Sequence, residues 1–172
     1  MIILGIDPGI ATTGYGVIRK VASKAHSSKE KLVKSSFKSG LECLGYGLIQ
    51  TKPCFATTER LKKIYNDLNR LIKQYNPELL AIENVYFFKN LKTVIPVSQA
   101  KGVILLTAAK KNIPVYEFTP LQIKKTIVNY GWAEKELIQK KIKSLLGLKD
   151  IPKPDDAADA LAAAICCAWF LG

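Results

Sequence analysis

Histidine and cysteine, the residues that most often hold zinc, are scarce in this sequence. Of its 172 residues only His26 is a histidine, and the cysteines at positions 43, 54, 166 and 167 lack the paired C-x-x-C spacing of zinc sites. The sequence therefore predicts no zinc site. Cysteines without such a framework are also typical of a reduced, cytosolic compartment, where disulfides are rare.

Long apolar segments that could cross a membrane are lacking as well. Residues 157–171 are mostly apolar, but Asp159 interrupts them and the run is shorter than the roughly 20 residues of a membrane-spanning helix. No basic region precedes the apolar start of the chain, as one does in a secretory signal. We therefore predict a cytoplasmic protein with no membrane contact, in which residues 157–171 form a buried helix.

Acidic residues are few, with 14 Asp and Glu against 26 Lys and Arg and a formal net charge of +12. This excess favours nucleic acid as the partner, because basic side chains bound to phosphates release condensed counterions. Arginine occurs only at positions 19, 60 and 70, so the contact is predicted to be with backbone phosphates rather than guanine edges. A lysine-rich solubilising surface is the alternative interpretation.

The hydrophobic pattern predicts a single α/β domain over residues 1–172. Strands are predicted at residues 2–7, 14–19, 44–51, 79–83 and 113–118, and helices at 57–75, 96–111, 120 to a stop at Gly131, 134–146, and from Asp155 to the end. The first three strands adjoin without helices and should be antiparallel, whereas the last two alternate with helices and should be parallel. We therefore expect a mixed five-stranded sheet with helices on both faces. The basic stretch from Lys20 to Ser39 is predicted to be a mobile connection or a long hairpin.

Acidic residues stand at positions where burial should disfavour them. Asp7 and Glu83 each end an apolar predicted strand, and ligands of open α/β sheets bind beyond the carboxyl ends of strands. Asp156 and Asp159 are three residues apart at the start of the last helix and therefore share one face. Asp159 lies in an Ala/Leu-rich stretch, where an unpaired charge is costly. A bound cation would relieve that cost.

Four clustered carboxylates without nearby His or Cys are the hard oxygen ligands that Mg²⁺ and Mn²⁺ prefer. In a two-metal site, one ion activates the attacking water and the other stabilises the leaving 3′-oxygen of a phosphodiester. Each acid has a structural alternative: Asp7 as a turn cap, Glu83 as an ion-pair partner and Asp156 as an N-cap. Because three separate strand or helix ends would each need such an explanation, the sequence favours a divalent-metal-dependent nuclease.

Four segments in this order resemble the RuvC family of bacterial Holliday-junction resolvases: ILGIDPG at 3–9, TGYGVI at 13–18, AIE at 81–83 and DAADALA at 156–162. The resemblance implies a ribonuclease-H-like fold and a homodimeric, magnesium-dependent crossover junction endodeoxyribonuclease, with Mn²⁺ substituting for Mg²⁺. Such an enzyme nicks opposing strands of four-way junction DNA symmetrically in recombination and repair. Carried over, the family's catalytic, metal-binding acids fall on Asp7, Glu83, Asp156 and Asp159.

The resemblance also implies DNA contacts. The segments QIK at 122–124 and AEK at 133–135 are similar to those that hold two lysines of the family, so Lys124 and Lys135 are predicted to bind the DNA backbone. Lys135 could alternatively be a solvated first-turn residue. Tyr86 matches an aromatic that contacts unpaired bases, and Phe87 and Lys89 are predicted to bind beside it. One of the three aromatics at 86–88 could instead belong to the core.

The resemblance further raises the RuvA–RuvB branch-migration complex as a partner and nucleoid association while DNA is bound. Two departures from the family pattern leave the partner contacts open. The connection from Lys20 to Ser39 is long and basic, and the sequence stops at Gly172 directly after the last predicted helix.

Two other functions are compatible with parts of the sequence. The first turn of the chain is similar to the phosphate loop of actin-like and sugar-kinase ATPases, because it contains Asp7, Pro8, Gly9, Thr12 and Thr13. Those proteins pair two copies of the fold, which requires about twice the length of one domain of ~100 to 200 residues. A non-catalytic nucleic-acid-binding domain would explain the basic charge but not the acidic residues.

Overall fold

The computed structural model describes residues 1–21, 39–84 and 91–171, except for the side chains of 91–93. Within these ranges the chain forms five strands and five helices. In chain order they are β1 (Ile2–Asp7), β2 (Thr12–Lys20), β3 (Leu41–Gln50), α1 (Thr57–Tyr75), β4 (Leu79–Glu83), α2 (Leu91–Lys110), β5 (Val115–Phe118), α3 (Pro120–Val128), α4 (Lys135–Leu146) and α5 (Asp155–Phe170). Most of the predicted connection from Lys20 to Ser39 lies outside the described residues.

The strands form one mixed sheet in the order β3-β2-β1-β4-β5. β1 pairs antiparallel with β2, which pairs antiparallel with β3, whereas β1 with β4 and β4 with β5 are parallel. The predicted meander and the predicted parallel pair are both confirmed. Because β1 and β4 are parallel neighbours at the centre, their carboxyl ends lie side by side at one edge of the sheet.

Helices cover both faces of the sheet, as predicted. Side chains of a strand point alternately to opposite faces, and β1 divides accordingly. Ile3 joins the core beneath α3, α4 and α5, whereas Leu4 and Ile6 join the core beneath α1 and α2. On β4, Ala81 lies on the α5 side. By the same alternation Asp7 and Glu83 are on the α5 side.

Glycines allow α5 to lie unusually close to the sheet. A Cβ atom built on Gly5 would be 2.0 Å from the carbonyl oxygen of Ala160, and one built on Gly14 would be 1.9 Å from that of Asp156. Either position would displace backbone, so only glycine fits. The alanine-rich sequence of α5 is buried along most of its length, because small side chains permit this close packing.

Two predicted helix boundaries were wrong. α2 begins at Leu91 rather than Pro96, which lies inside the helix. Only the first four N–H groups of a helix lack intrahelical acceptors, so proline at the sixth position removes one bond. The buried face formed by Ala100, Ile104 and Ala108 supplies tertiary packing, the main source of helix stability in proteins.

α3 ends at Val128, with Asn129 as its C-cap, and not at Gly131. Asn129 adopts the left-handed conformation, with φ of 56°, and its N–H donates to the carbonyl oxygen of Lys125 at 2.9 Å. Asparagine tolerates this conformation better than most residues. The start of α3 is as predicted, since Thr119 forms a capping box with Gln122. None of the helices in the described ranges is long and apolar enough to cross a membrane.

Candidate active site

Two carboxylates meet at the carboxyl ends of the central strands. Ile6 of β1 pairs with Ile82 of β4, so the next residues, Asp7 and Glu83, are neighbours across the parallel pair. Both side chains point to the face that α5 covers. Parallel pairing and matched register therefore produce the proximity that the sequence predicted for these two acids.

α5 brings a third carboxylate to the same place. One carboxylate oxygen from each of Asp7, Glu83 and Asp159 lies within 4.8 Å of the other two, and all three side chains are partly buried. Asp159 reaches this position because α5 crosses the sheet over Gly5 and Gly14. We call Asp7, Glu83 and Asp159 the acidic cluster. It is a set of carboxylate oxygens that a divalent cation can bind.

Asp156 lies at the margin of the acidic cluster. It is half-buried in the first turn of α5, and its negative charge contributes to raising the pKa of Asp7. Among the described residues, however, Asp156 is not part of the group within 4.8 Å. Its alternative as an N-cap was wrong, because the residue preceding the helix is Pro154.

The carboxylates of the acidic cluster repel one another, and burial makes their ionisation more costly still. Burial, followed by the charges of Glu83, Asp159 and Asp156, raises the pKa of Asp7 to about 8, against a partial lowering by Lys135. Burial and then the charge of Asp159 raise the pKa of Glu83 to about 7. Burial likewise raises the pKa of Asp159. Three carboxylates at this distance cannot all ionise readily without a cation.

Asp7 and Glu83 show no structural partner among the described residues. Within that part of the chain, neither side chain accepts a hydrogen bond or forms an ion pair. Lys135 and Lys124 lower the pKa of Glu83 by their charge alone. Lys89, six residues beyond Glu83, lies outside the described residues, so the ion-pair alternative for Glu83 is not tested.

Lys135 contacts the cluster directly. Its Nζ lies 2.9 Å from Oδ2 of Asp159 and 3.2 Å from Oδ2 of Asp155. Gln139 donates to Asp155 at 2.9 Å and fixes that carboxylate. Burial acts to lower the pKa of Lys135, but the hydrogen bonds and charges of Asp159 and Asp155 outweigh it and raise the pKa. Lys135 is in the first turn of α4, but it is not merely solvated.

Lys124 holds the loop that leads to α4. Its Nζ donates to the carbonyl oxygen of Ala133 at 2.9 Å, and its charge acts on Glu83. Both predicted lysines therefore lie close enough to the acidic cluster to affect it. The other predicted DNA contacts, Tyr86, Phe87 and Lys89, lie outside the described residues.

A network beside Glu83 escaped the sequence analysis. Nζ of Lys101 on α2 lies 2.7 Å from Oε2 of Glu117 and 3.2 Å from Oδ1 of Asn84. Asn84 directly follows Glu83, and its N–H donates to the carbonyl oxygen of Phe118 at 2.7 Å. The signal in the sequence was one lysine, Lys101, among mostly small and apolar residues of the predicted helix. In the structure its side chain is only 18% exposed. A lysine is rarely buried without a partner.

Comparisons with known proteins agree with this geometry. The family model of crossover junction endodeoxyribonuclease RuvC matches residues 31–167. A protein of Natranaerobius thermophilus called crossover junction endodeoxyribonuclease RuvC is 45% identical over 166 residues, covering 96% of this chain and 93% of the relative. The RuvC of Alkaliphilus oremlandii is 47% identical over 166 residues, covering 96% and 92%.

A solved structure extends the likeness to three dimensions. The structure of T. thermophilus RuvC in complex with Holliday junction substrate superposes with a TM-score of 0.86 at 29% identity. It covers 99% of this chain and 94% of that one. The five-stranded mixed sheet and the helices on both faces are thus the ribonuclease-H-like arrangement of a nuclease.

Proposed function

Because this chain belongs to the RuvC family of crossover junction endodeoxyribonucleases, we propose that it resolves four-way DNA junctions by paired, symmetric nicks in recombination and repair. The observation that carries the proposal is the acidic cluster, three partly buried carboxylates within 4.8 Å of one another at the carboxyl ends of the central strands. The net charge of +12 supplies attraction to the phosphate backbone.

The donor set suits a hard divalent cation. Its ligands are carboxylate oxygens from Asp7, Glu83 and Asp159, and their raised pKa values reflect a repulsion that a cation would offset. We propose Mg²⁺, with Mn²⁺ substituting and Asp156 as a fourth ligand at the margin. When bound, such ions activate water and stabilise the leaving oxygen of a phosphodiester.

The chain's own residues orient the substrate strand. Lys135 and Lys124 place two ammonium groups beside the cluster, where they are available to backbone phosphates. They also offset part of the repulsion between the strand and the acids. Tyr86, Phe87 and Lys89, next along the chain from Glu83, stay predicted contacts with the bases near the junction.

We further propose a homodimer, because cutting two opposing strands requires two active sites. One face of α2 is open and apolar: Ile95 is 68% and Leu106 59% exposed. Gly102, between them in the same helix, has no atom of another described segment within 4 Å of the position of a Cβ, so another backbone can approach closely. Their spacing of seven and four residues keeps all three on one face.

Two earlier expectations stay predictions. Association with the RuvA–RuvB branch-migration complex follows from family membership alone. A cytoplasmic location, at the nucleoid while DNA is bound, follows from the proposed substrate.

Family membership and the acidic cluster favour the nuclease over the two alternatives. A non-catalytic binder has no use for three mutually repelling carboxylates. An actin-like ATPase would require a second copy of the fold, whereas this chain matches about 93% of a nuclease relative's length with one.

The proposal is tested with a synthetic four-way junction and Mg²⁺. The parent protein should introduce paired nicks at symmetric positions, and none after chelation. Asp7→Asn should bind the junction with near-parental affinity but cut at least 1,000-fold more slowly, a loss of about 4 kcal/mol of transition-state stabilisation. Parental cutting by Asp7→Asn, or unpaired random nicks, contradicts the proposal. Loss of binding would make Asp7 a structural residue.

A further inference from the structure

An exposed tryptophan stands in the loop that leads to Lys135, without a structural explanation. Trp132, in the loop between α3 and α4, is 84% exposed, more than any other large hydrophobic residue described. A tryptophan buries roughly 150–250 Å² when it is packed, so leaving it in water forgoes a large stabilisation. Its neighbour Tyr130 is 58% exposed. The loop therefore presents two aromatic rings to solvent.

The loop is held in place on both sides of Trp132. Before it, the N–H of Asn129 donates to the carbonyl oxygen of Lys125 at 2.9 Å, closing α3. After it, Ala133 is only 3% exposed and accepts a hydrogen bond from Nζ of Lys124 at 2.9 Å. These contacts anchor the backbone on both sides of Trp132, so the loop holds the residue at the surface.

Trp132 is close along the chain to Lys135, which contacts the acidic cluster. It precedes Lys135 by three residues, and three residues span at most about 11 Å. Nζ of Lys135 is 2.9 Å from Asp159. Successive phosphates of one duplex strand are ~3.4 Å apart along the axis, so a strand that runs from the acidic cluster along the α3–α4 loop would reach Trp132 within a few nucleotides.

The charges around Trp132 favour nucleic acid as its ligand. Lys124 contacts Ala133 beside it, Lys135 follows three residues later, and Cε of Lys125 lies 3.5 Å from the Cβ position of Gly131. The acids of the same stretch are Glu134 and Glu136, and Glu136 is paired with Lys140. Burying these ammonium groups against an apolar protein surface would be costly. Aromatic rings between lysines are instead the arrangement that binds a DNA strand, with rings stacking on bases and ammonium groups on phosphates.

We infer that Trp132 is a DNA-binding residue whose indole ring packs on a nucleotide close to the phosphodiester that is cut. This inference rests on the proposed function, because it takes the strand at the acidic cluster as given. It adds an aromatic contact from the α3–α4 loop to the contact predicted for Tyr86.

The direct test uses tryptophan fluorescence. Trp132 and Trp169 are the two tryptophans of the chain, so Trp169→Phe leaves Trp132 as the sole reporter. In an Asp7→Asn background, which prevents cutting, titration with a four-way junction should quench Trp132 by stacking. The matched protein with Trp132→Phe, which retains Trp169, should show little quenching, because Trp169 is partly buried in the core.

The second measurement is affinity. Trp132→Ala should weaken junction binding on the order of tenfold, Trp132→Phe should restore most of it, and neither should shift the melting temperature. Phe170→Ala is the matched control, since Phe170 is 68% exposed at the far end of α5. Unquenched Trp132 together with parental affinity of Trp132→Ala overturns the inference and leaves this surface to a protein partner. If the parent cuts junctions, that outcome does not affect the proposed function, whereas a parent that neither binds nor cuts overturns both.

Discussion

The Nζ atom of Lys135 lies 2.9 Å from Oδ2 of Asp159, so the chain itself places a cation on one acid of the proposed metal site. Lys135 and a metal ion therefore compete for the same carboxylate, while Lys135 is also a proposed phosphate contact. The two roles predict opposite effects of its removal on metal affinity and on rate.

Lys135→Ala is expected to lower the maximal rate of junction cutting at least tenfold, because a phosphate loses its ammonium partner. The Mg²⁺ concentration for half-maximal cutting should fall, since Asp159 is then free of its ion pair. Rates across a Mg²⁺ titration check both effects. Lys140→Ala is the control: Lys140 is on the same helix and pairs with Glu136 at 2.7 Å. Equal behaviour of the two variants would refute a role for Lys135.

Asp156→Asn tests whether the marginal acid takes part in metal binding. We expect the rate of cutting to fall at least tenfold and to recover partly at high Mg²⁺. A fourth ligand raises the affinity for the metal ion, but the acidic cluster can still bind the ion without it. Asp150→Asn is the control, since Asp150 is an exposed acid that precedes the same helix. If Asp156→Asn cuts like the parent throughout the titration, Asp156 is not a ligand.

Stability without metal should depend on pH through Asp7 and Glu83. Their pKa values are about 8 and about 7 in the fold, against 3.8 and 4.5 for the free side chains. Below pH ~4 the two carboxyls are protonated in both the folded and the unfolded protein. Between pH ~4 and pH ~8 they lose their protons in the unfolded chain but keep them in the folded protein. The free energy of unfolding should therefore fall as pH rises through this window.

Thermal unfolding in chelator at pH 5 and pH 8.5 measures this loss. Asp7→Asn should reduce it by up to roughly 4 kcal/mol, because Asp7 accounts for about three pH units of this interval at about 1.4 kcal/mol each. Part of the loss should remain, because the pair of Glu83 with Asp159 still repels. Added Mg²⁺ should stabilise the parent more at pH 8.5 than at pH 5. An Asp7→Asn protein with the parental pH dependence would show that Asp7 does not titrate in this range.

Gly14→Ala tests the close approach of α5. The new Cβ would meet the carbonyl oxygen of Asp156 at 1.9 Å, so the start of α5 must move. We expect a loss of roughly 1–3 kcal/mol of stability, as in overpacked cores, and slower cutting by the folded protein. Gly102→Ala has open space around it and should change stability by no more than about +1 kcal/mol. Chemical denaturation of both variants measures these changes in the free energy of unfolding.

Leu106→Glu tests the dimer. A charge on the open face of α2 should convert the protein to a monomer in sedimentation at micromolar concentration, with the fold intact by circular dichroism. Leu137→Glu, at a residue 51% exposed on α4, should leave the dimer unchanged. A parent that sediments as a monomer at this concentration counts against the homodimer itself.

Local patterns were sufficient for most of the fold. β1, α1 and β4 have the predicted boundaries, because apolar periodicity and flanking turn residues act over a few positions. The prediction failed where tertiary packing overrode a local rule. Pro96 lies within α2, since burial of Ala100 and Ile104 outweighs the loss of one hydrogen bond.

For the candidate site, the sequence by itself determined which kinds of residue are the candidate metal ligands and placed two of them side by side. Acids directly after the buried strands β1 and β4 must come together once those strands pair in parallel, so Asp7 and Glu83 were predictable as neighbours. The pair Asp156 and Asp159 was recognisable as a helix face carrying charge beside apolar residues.

Only the tertiary structure decided that Asp159 lies within 4.8 Å of Asp7 and Glu83 while Asp156 lies at the margin, and that Lys135 contacts Asp159. The physical reason is that α5 is positioned by non-local contacts with Gly5 and Gly14, which no spacing within the helix encodes. A few ångströms of helix position decide which carboxylate joins the cluster, and the packing of the helix on the sheet sets that position.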